Sequence, residues 1–153
     1  FILFLPAKQD KLSTVAIIMN KIVSKEHFSA NVVKLEVEAP LIARSRKAGH
    51  FVIVKVGEKG ERIPLTIAGA DTEKGTITLV IQAVGGSSRK ICELNEGDYI
   101  TDVVGPLGQA THIEKVGTVV CAGGGVGVAP LLPIVEAFHK AGIGGPYQGL
   151  GDP

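Results

Sequence analysis

The residues with the clearest chemical potential in this sequence are the loop glycines Gly123, Gly124, Gly125 and Gly127. Before them, Thr118 to Ala122 is short, apolar and rich in β-branched residues, which is typical of a strand buried in a parallel sheet. After them, apolar residues recur at helical spacing from Leu131. A strand that enters a helix through glycines lets a ligand approach the backbone and presents N–H groups at the positive helix end. The pattern predicts a phosphate site.

This loop matches the general dinucleotide fingerprint only in part. Pro130 stands where a third glycine belongs, and no acidic residue follows a second strand. The spacing leaves two interpretations open: a pyrophosphate site, or a tight turn that needs glycine only for its backbone angles. Pro130 and Pro133 are both predicted in the first helical turn, where a missing N–H costs little.

A second candidate site lies on a predicted strand from Ile63 to Ala68. Arg62, Pro64 and Thr66 share one face of this strand because side chains alternate along it. A guanidinium and a hydroxyl could together hold a phosphate and the edge of a ring. The alternative is an edge strand that tolerates a proline beside a surface arginine.

A third candidate is the glycine turn that opens a predicted helix from Ser87 to Leu94. Its residues are Gly85, Gly86, Ser87 and Ser88. Two hydroxyls at a helix N-terminus could bind an anion, although an ordinary capped helix has the same sequence pattern.

Short strands must position these residues. The predicted strands begin at Ile22 and cover Val33–Val37, Phe51–Val56, Ile63–Ala68, Thr76–Ala83 and Asp98–Val104. Six short strands with turn signals between them indicate a small antiparallel barrel. Between two of them, Arg44, Arg46 and Lys47 are predicted to form a solvated loop, with a docking patch for an acidic electron carrier as the alternative.

Composition excludes several classes of function. The net charge of +1 and the lack of a basic run argue against nucleic acid as a partner. Phe1 to Leu5 is too short to cross a membrane, so no membrane partner is expected. Cys92 and Cys121 lack ligand-type spacing and are predicted to be buried thiols in a reducing, cytoplasmic compartment. The four histidines are isolated in sequence, and no catalytic residue or metal ligand is predicted.

Four motifs together resemble the ferredoxin–NADP reductase superfamily: ERIPLTIA at Glu61–Ala68, VGGSS at Val84–Ser88, GPLG at Gly105–Gly108 and GGGVGVAPL at Gly123–Leu131. Their order is most similar to the branch that contains the electron-transfer subunit of dihydroorotate dehydrogenase and the α subunit of ferredoxin-dependent NADP and sulfide oxidoreductases. The resemblance implies an α+β fold with a six-stranded antiparallel FAD-binding β-barrel at 19–112. The first βα unit of an incomplete Rossmann-like NAD(P) domain would follow at 113–153, and 1–18 would be an extension outside the fold.

The resemblance also implies roles for individual residues. FAD would be bordered by Ile63, Pro64, Leu65 and Thr66 and flanked by Val80, Ile81 and Gln82, with its pyrophosphate at Gly85, Ser87 and Ser88. The NAD(P) pyrophosphate would lie against Gly123, Gly124, Gly125 and Gly127. The family's usual arginine falls on Ile63 here, so Arg62 would need a strand bulge to turn toward a phosphate. Gln82 stands where a relative may carry a basic residue.

The implied function is electron transfer. A complete relative would pass electrons from NAD(P)H through FAD to an iron–sulfur acceptor such as ferredoxin, as one subunit beside a second oxidoreductase subunit. The electron-transfer subunit of dihydroorotate dehydrogenase is one alternative. A flavin-binding or subunit-docking fragment without turnover is another. The cysteines that hold a [2Fe–2S] cluster in this branch are absent from the sequence, which is therefore expected to be truncated.

Overall fold

A computed structural model describes residues 20–144, which fold around one antiparallel sheet. The strands are β1 (Asn20–Ser29), β2 (Val32–Glu38), β3 (Phe51–Lys55), β4 (Arg62–Asp71), β5 (Thr76–Gln82), β6 (Tyr99–Ile100) and β7 (Asp102–Leu107). The helices are α1 (Pro40–Ser45), α2 (Gly86–Glu93) and α3 (Val128–Lys140), and a 3₁₀ turn (Gly125–Gly127) precedes α3. The proposed extension at 1–18 lies outside the described residues.

The sheet is a nearly closed barrel. Its strand order is β6-β1-β2-β5-β4-β3-β7, so β6 and β7 form its two edges. Only Thr101 separates these two strands in sequence, which brings the edges of the sheet together. The Thr101 hydroxyl also accepts a hydrogen bond from the Gly57 N–H at 2.7 Å. The predicted antiparallel barrel is confirmed, with seven strands because the predicted strand Asp98–Val104 is divided at this residue.

Alternation of apolar and polar residues places the core inside the barrel. On β2 the buried side chains are Val33, Leu35 and Val37, as their spacing predicts. They pair across the sheet with three buried residues of β5: Ile81, Leu79 and Ile77. Burying each such side chain stabilises the fold by roughly 1.5–3 kcal/mol relative to leaving it exposed.

Helix α1 replaces the loop that the sequence predicts at this position. Pro40 occupies its first turn, where the missing N–H costs little, and Ile42 and Ala43 are buried against the barrel. The Ser45 hydroxyl donates a hydrogen bond to the Leu41 carbonyl at 2.7 Å. The helix is only six residues long, so its apolar pattern is too short to be recognised in sequence.

The predicted strand Thr118–Ala122 does not form. Within residues 20–144 this segment pairs with no other strand, and Val120 is 87% exposed. An apolar run needs a neighbouring strand to satisfy its backbone, and none of the described strands lies beside it. Cys121 is consequently exposed, which contradicts its predicted burial, whereas Cys92 is half-buried and desolvation raises the pKa of its thiol.

Helix α3 packs on β4 and begins at Val128, directly after the 3₁₀ turn. Pro130 lies in its first turn as predicted, but Pro133 lies inside the helix and is buried. None of the helices in the described part of the chain has the length and apolar character needed to cross a bilayer.

Candidate functional site

Strand β4 presents a polar face beside β3. Arg62 and Pro64 are exposed, Ile63 and Leu65 are half-buried on the opposite face, and Thr66 is half-buried. The pairing with β3 runs from Lys55 opposite Arg62 to Phe51 opposite Thr66 without a register shift. The strand therefore has no bulge here, and the side chain of Arg62 keeps the direction that regular alternation gives it.

A carboxylate already engages Arg62. Its Nη1 lies 2.6 Å from Oδ2 of Asp102, on strand β7. Both residues are register partners of Lys55, from opposite sides of β3, so the ion pair spans that strand. The arginine side chain is 53% exposed and the aspartate 36%, and such pairs typically contribute about 0.2–1 kcal/mol.

The N-terminus of α2 is open to a ligand. Apart from the adjacent backbone, no heavy atom lies within 4 Å of the position that a Cβ would occupy on Gly85 or Gly86. Ser88 is buried, and its hydroxyl accepts hydrogen bonds from the N–H groups of Val84 and Gly85 at 3.1 and 2.9 Å while donating to the Gly85 carbonyl. This hydroxyl thus holds the turn together from within.

Ser87 has a different partner. Its hydroxyl donates to Oε2 of Glu61 at 2.6 Å, across 26 positions of sequence. Glu61 directly precedes β4, so this contact brings the start of α2 beside the polar face of that strand. Two stretches that are distant in sequence are therefore neighbours in the fold.

Strand β5 connects the remaining candidates. It pairs with β4 and contacts both α2 and the 3₁₀ turn Gly125–Gly127. Of its candidate residues, Val80 is half-buried and Gln82 is exposed, whereas the Ile81 side chain is buried in the core. Ile81 can therefore meet a ligand only through its backbone.

The glycine loop before α3 approaches that helix closely at Gly123. A Cβ on Gly123 would lie 2.9 Å from the Leu131 side chain. Gly125 has a φ of +55°, which favours glycine, and Gly124, Gly125 and Gly127 have open space around them. The loop thus exposes its backbone at the N-terminus of α3, as a phosphate site requires.

The Asp71 carboxyl, whose pKa is shifted, lies outside these stretches. Backbone N–H groups of Lys74 and Glu73 donate to the Asp71 carboxylate in the β4–β5 turn, and the Lys74 hydrogen bond contributes most to a lowered Asp71 pKa. Among residues 20–144, no three His, Cys, Asp or Glu side chains are grouped so that they could hold a metal ion.

Known proteins resemble this chain over most of its length. No protein-family model matches it. An uncharacterised Clostridium beijerinckii protein of the adh 3′ region is 47% identical over 132 residues, covering 82% of this chain and 45% of that protein. A Thermotoga maritima homologue of the dihydroorotate dehydrogenase B (NAD(+)) electron transfer subunit is 41% identical, covering 81% of this chain and 44% of the relative. The chain therefore spans less than half the length of these relatives.

Solved structures are also similar to this chain. The NADH-dependent reduced ferredoxin-NADP oxidoreductase, studied for flavin-based electron bifurcation, matches with a TM-score of 0.80 and 41% identity, covering 81% of this chain and 45% of the other. The chain belongs to the ferredoxin–NADP reductase superfamily. Phthalate dioxygenase reductase, at 21% identity, has the same fold with a TM-score of 0.68 over 82% of this chain and 40% of its own.

Membership of the ferredoxin–NADP reductase superfamily confirms the resemblance that the four motifs indicate. Two carboxylates near the site were not predicted from the sequence: Glu61 and Asp102, which contact Ser87 and Arg62. Both contacts join residues that are distant in sequence, and neither carboxylate belongs to a periodic pattern. Only a correct strand pairing around β3 and a correct α2 position could have predicted them.

Proposed function

We propose that this chain forms the FAD-binding part of an electron-transfer flavoprotein subunit. The observation that carries the proposal is the contact between Ser87 and Glu61, because it brings the α2 N-terminus beside the start of β4. The residues present suit FAD: an open helix N-terminus beside a hydroxyl for the diphosphate, and a strand with an exposed proline for the ring system.

In this proposal the chain's residues bind and orient the cofactor. The first-turn N–H groups of α2 and the Ser87 hydroxyl hold the diphosphate, while Ser88 fixes the shape of the turn. Pro64, Leu65 and Thr66 border the ring through side chains and backbone, beside Arg62 and Ile63. Val80, Ile81 and Gln82 flank the chain between ring and diphosphate. When bound, FAD supplies the capacity to take a hydride and release single electrons.

The glycine loop before α3 is proposed to receive the pyrophosphate of NAD(P)H. Gly123 permits close packing against α3, and Gly124, Gly125 and Gly127 leave the backbone accessible. Contact between this turn and β5 supports a location close to the flavin strands. A nucleotide held there would approach the barrel from the side of α3.

The electron partner is proposed to be a second oxidoreductase subunit, with ferredoxin or another iron–sulfur protein as acceptor. Relatives named as electron transfer subunits support this assignment, and the name shared by several of them keeps a dihydroorotate dehydrogenase role as the second candidate. A [2Fe–2S] cluster would belong to the complete assembly, because this sequence has only two cysteines. Both are free thiols, which supports a reducing compartment such as the cytoplasm.

Titration of the purified chain with FAD and FMN tests the proposal. We expect oxidised-flavin absorption after reconstitution and tighter binding of FAD than of FMN, because only FAD has the diphosphate that α2 would hold. Ser87→Ala should weaken FAD binding by roughly 1.5–3 kcal/mol, the usual contribution of a hydrogen bond to a charged group.

Ser88→Ala provides the matched control. Because its hydroxyl bonds only to the turn, its loss should lower the free energy of unfolding and affect FAD binding less than Ser87→Ala does. A chain that stays folded but takes up neither flavin would contradict the proposed function.

A further inference from the structure

A basic cleft lies on another part of the molecule. It has a volume of about 730 Å³ and is lined mainly by α1 with its following loop, the segment 109–113 after β7, and α3. None of the residues proposed for FAD or NAD(P)H lines it. The cleft is therefore separate from the proposed electron-transfer site.

The charged side chains that line the cleft are mostly cationic. Arg44, Arg46, Lys47 and Lys140 line the cleft against a single carboxylate, Glu136. Within residues 20–144 none of these four cations forms an ion pair, whereas Lys34, Arg62 and Lys74 elsewhere do. Since the whole chain carries a net charge of only +1, this concentration of cations is local. A concave wall with one sign of charge raises the local concentration of anions.

The walls of the cleft are held in place. Ala43 and Ala48, which line the cleft, are buried, and the Thr111 N–H donates to the Ala48 carbonyl at 2.9 Å. Pro133, buried on α3, forms part of the opposite wall. Small apolar residues form the floor, and the hydroxyls of Thr72 and Thr111 add neutral hydrogen-bonding groups.

We propose that this cleft binds a small organic anion with two or more carboxylate or phosphate groups. Its volume falls in the range of small-molecule sites, roughly 300–1,000 Å³. Arginine fits the planar oxygens of carboxylates and phosphates in a bidentate geometry, and the lysines add point charges around them. Because the cations stand on two different elements that line the cleft, Arg44 on α1 and Lys140 on α3, one compact anion can contact both.

Amide chemical shifts of the FAD-loaded, ¹⁵N-labelled chain provide the test, with citrate and inorganic phosphate as separate probes. We expect saturable shifts at Thr72, Thr111 and Ala137, which line the cleft, and weaker binding at high ionic strength. Stronger binding of citrate would indicate a carboxylate ligand, and stronger binding of phosphate a phosphorylated one. The absence of shifts at these residues with both probes would overturn the proposal.

Two double variants with the same net charge distinguish binding in the cleft from a general effect of net charge. The double variant Arg46→Gln, Lys140→Gln should bind the preferred probe roughly tenfold more weakly, while Lys59→Gln, Lys90→Gln should differ from the original chain by less than about twofold. Thermal unfolding establishes that both variants fold. Equal losses in the two variants would overturn the proposal, as would binding of poly-glutamate without binding of either small probe, which would indicate a protein-docking surface.

Discussion

At the scale of single residues, the site contains two carboxylates where an anion is expected to bind. Glu61 accepts the Ser87 hydrogen bond, and Asp102 pairs with Arg62, each at 2.6 Å. A hydroxyl has one proton to donate, so a diphosphate at Ser87 must displace Glu61. Carboxylates thus engage the Ser87 hydroxyl and the Arg62 guanidinium, two groups that could otherwise contact a phosphate.

Removing the charge of Glu61 should therefore strengthen FAD binding. Two like charges about 4 Å apart repel by about 1 kcal/mol in water, so we expect Glu61→Gln to lower the FAD dissociation constant roughly fivefold. Glu58→Gln, in the preceding loop, removes the same charge three positions earlier in the chain and serves as control. Titration by flavin fluorescence measures both. Weaker binding in Glu61→Gln would show instead that this carboxylate accepts hydrogen bonds from the cofactor.

Arg62 should matter more for the barrel than for the cofactor. The strand has no bulge at this position and the guanidinium is engaged by Asp102, so Arg62→Ala should change FAD affinity by less than about threefold. The same variant and Asp102→Asn should lower stability by similar small amounts in chemical denaturation. A tenfold loss of FAD affinity in Arg62→Ala alone would mean that the arginine leaves Asp102 for a phosphate.

At the scale of elements, α2 is fixed at both ends. Ser88 holds its N-terminal turn, and the ammonium of Lys25 on β1 donates to the carbonyls of Cys92 and Leu94, each at 2.7 Å. These carbonyls lie at the C-terminal end of the helix, where backbone acceptors lack helical partners and a positive charge is favourable. Lys25 therefore ties the helix proposed to hold the diphosphate to the first strand of the barrel.

Loss of this ammonium should destabilise the barrel. Lys25→Met keeps the aliphatic stem but leaves two partly buried carbonyls without a donor, so we expect a loss of about 1–3 kcal/mol in the free energy of unfolding. Lys21→Met on the same strand is the control, and Lys25→Arg should restore part of the stability. Urea denaturation gives the comparison. Equal stability of the Lys25→Met and Lys21→Met variants would refute the role.

Some elements of this fold can be predicted from the sequence alone, and others cannot. Strands β2 and β5 were predictable because one buried face imposes alternation over seven residues in each. Helix α2 was predictable from its glycine turn and serines. The failed strand at Thr118–Ala122 had the right composition, but pairing depends on neighbours that composition cannot supply. Contacts such as Ser87 with Glu61 depend on the packing of distant segments and left no local signal.

At the scale of the whole molecule, most of the described elements belong to the barrel, and few belong to the proposed nucleotide-binding part. Within residues 20–144, the glycine loop and α3 follow the barrel, and Thr118–Ala122 pairs with no strand there. A dinucleotide that contacts only this loop gains little beyond one pyrophosphate site. We therefore expect NADH and NADPH to bind this 153-residue chain with dissociation constants of about a millimolar or weaker.

Slow flavin reduction should follow from that weak binding. After loading with FAD, stopped-flow mixing with micromolar NADH or NADPH should bleach the flavin band slowly and without saturation. Chemical reduction by dithionite serves as the control that the bound flavin can be reduced. Rapid, saturable bleaching would contradict the prediction and mean that the glycine loop and α3 suffice for productive nucleotide binding.

The short strand β6, at one edge of the nearly closed barrel, is where we expect the barrel to open first. Strand β6 is two residues long and holds β1 through the pairs Asn20–Ile100 and Lys21–Tyr99, beside the fully buried side chains of Ile22 and Ile100. Local unfolding begins where few backbone hydrogen bonds must break. Amide hydrogens of the β1–β6 pairing should therefore exchange with deuterium before those of β2 and β5. Water would reach the interior of the barrel between β1 and β6 while the rest of the sheet remains paired.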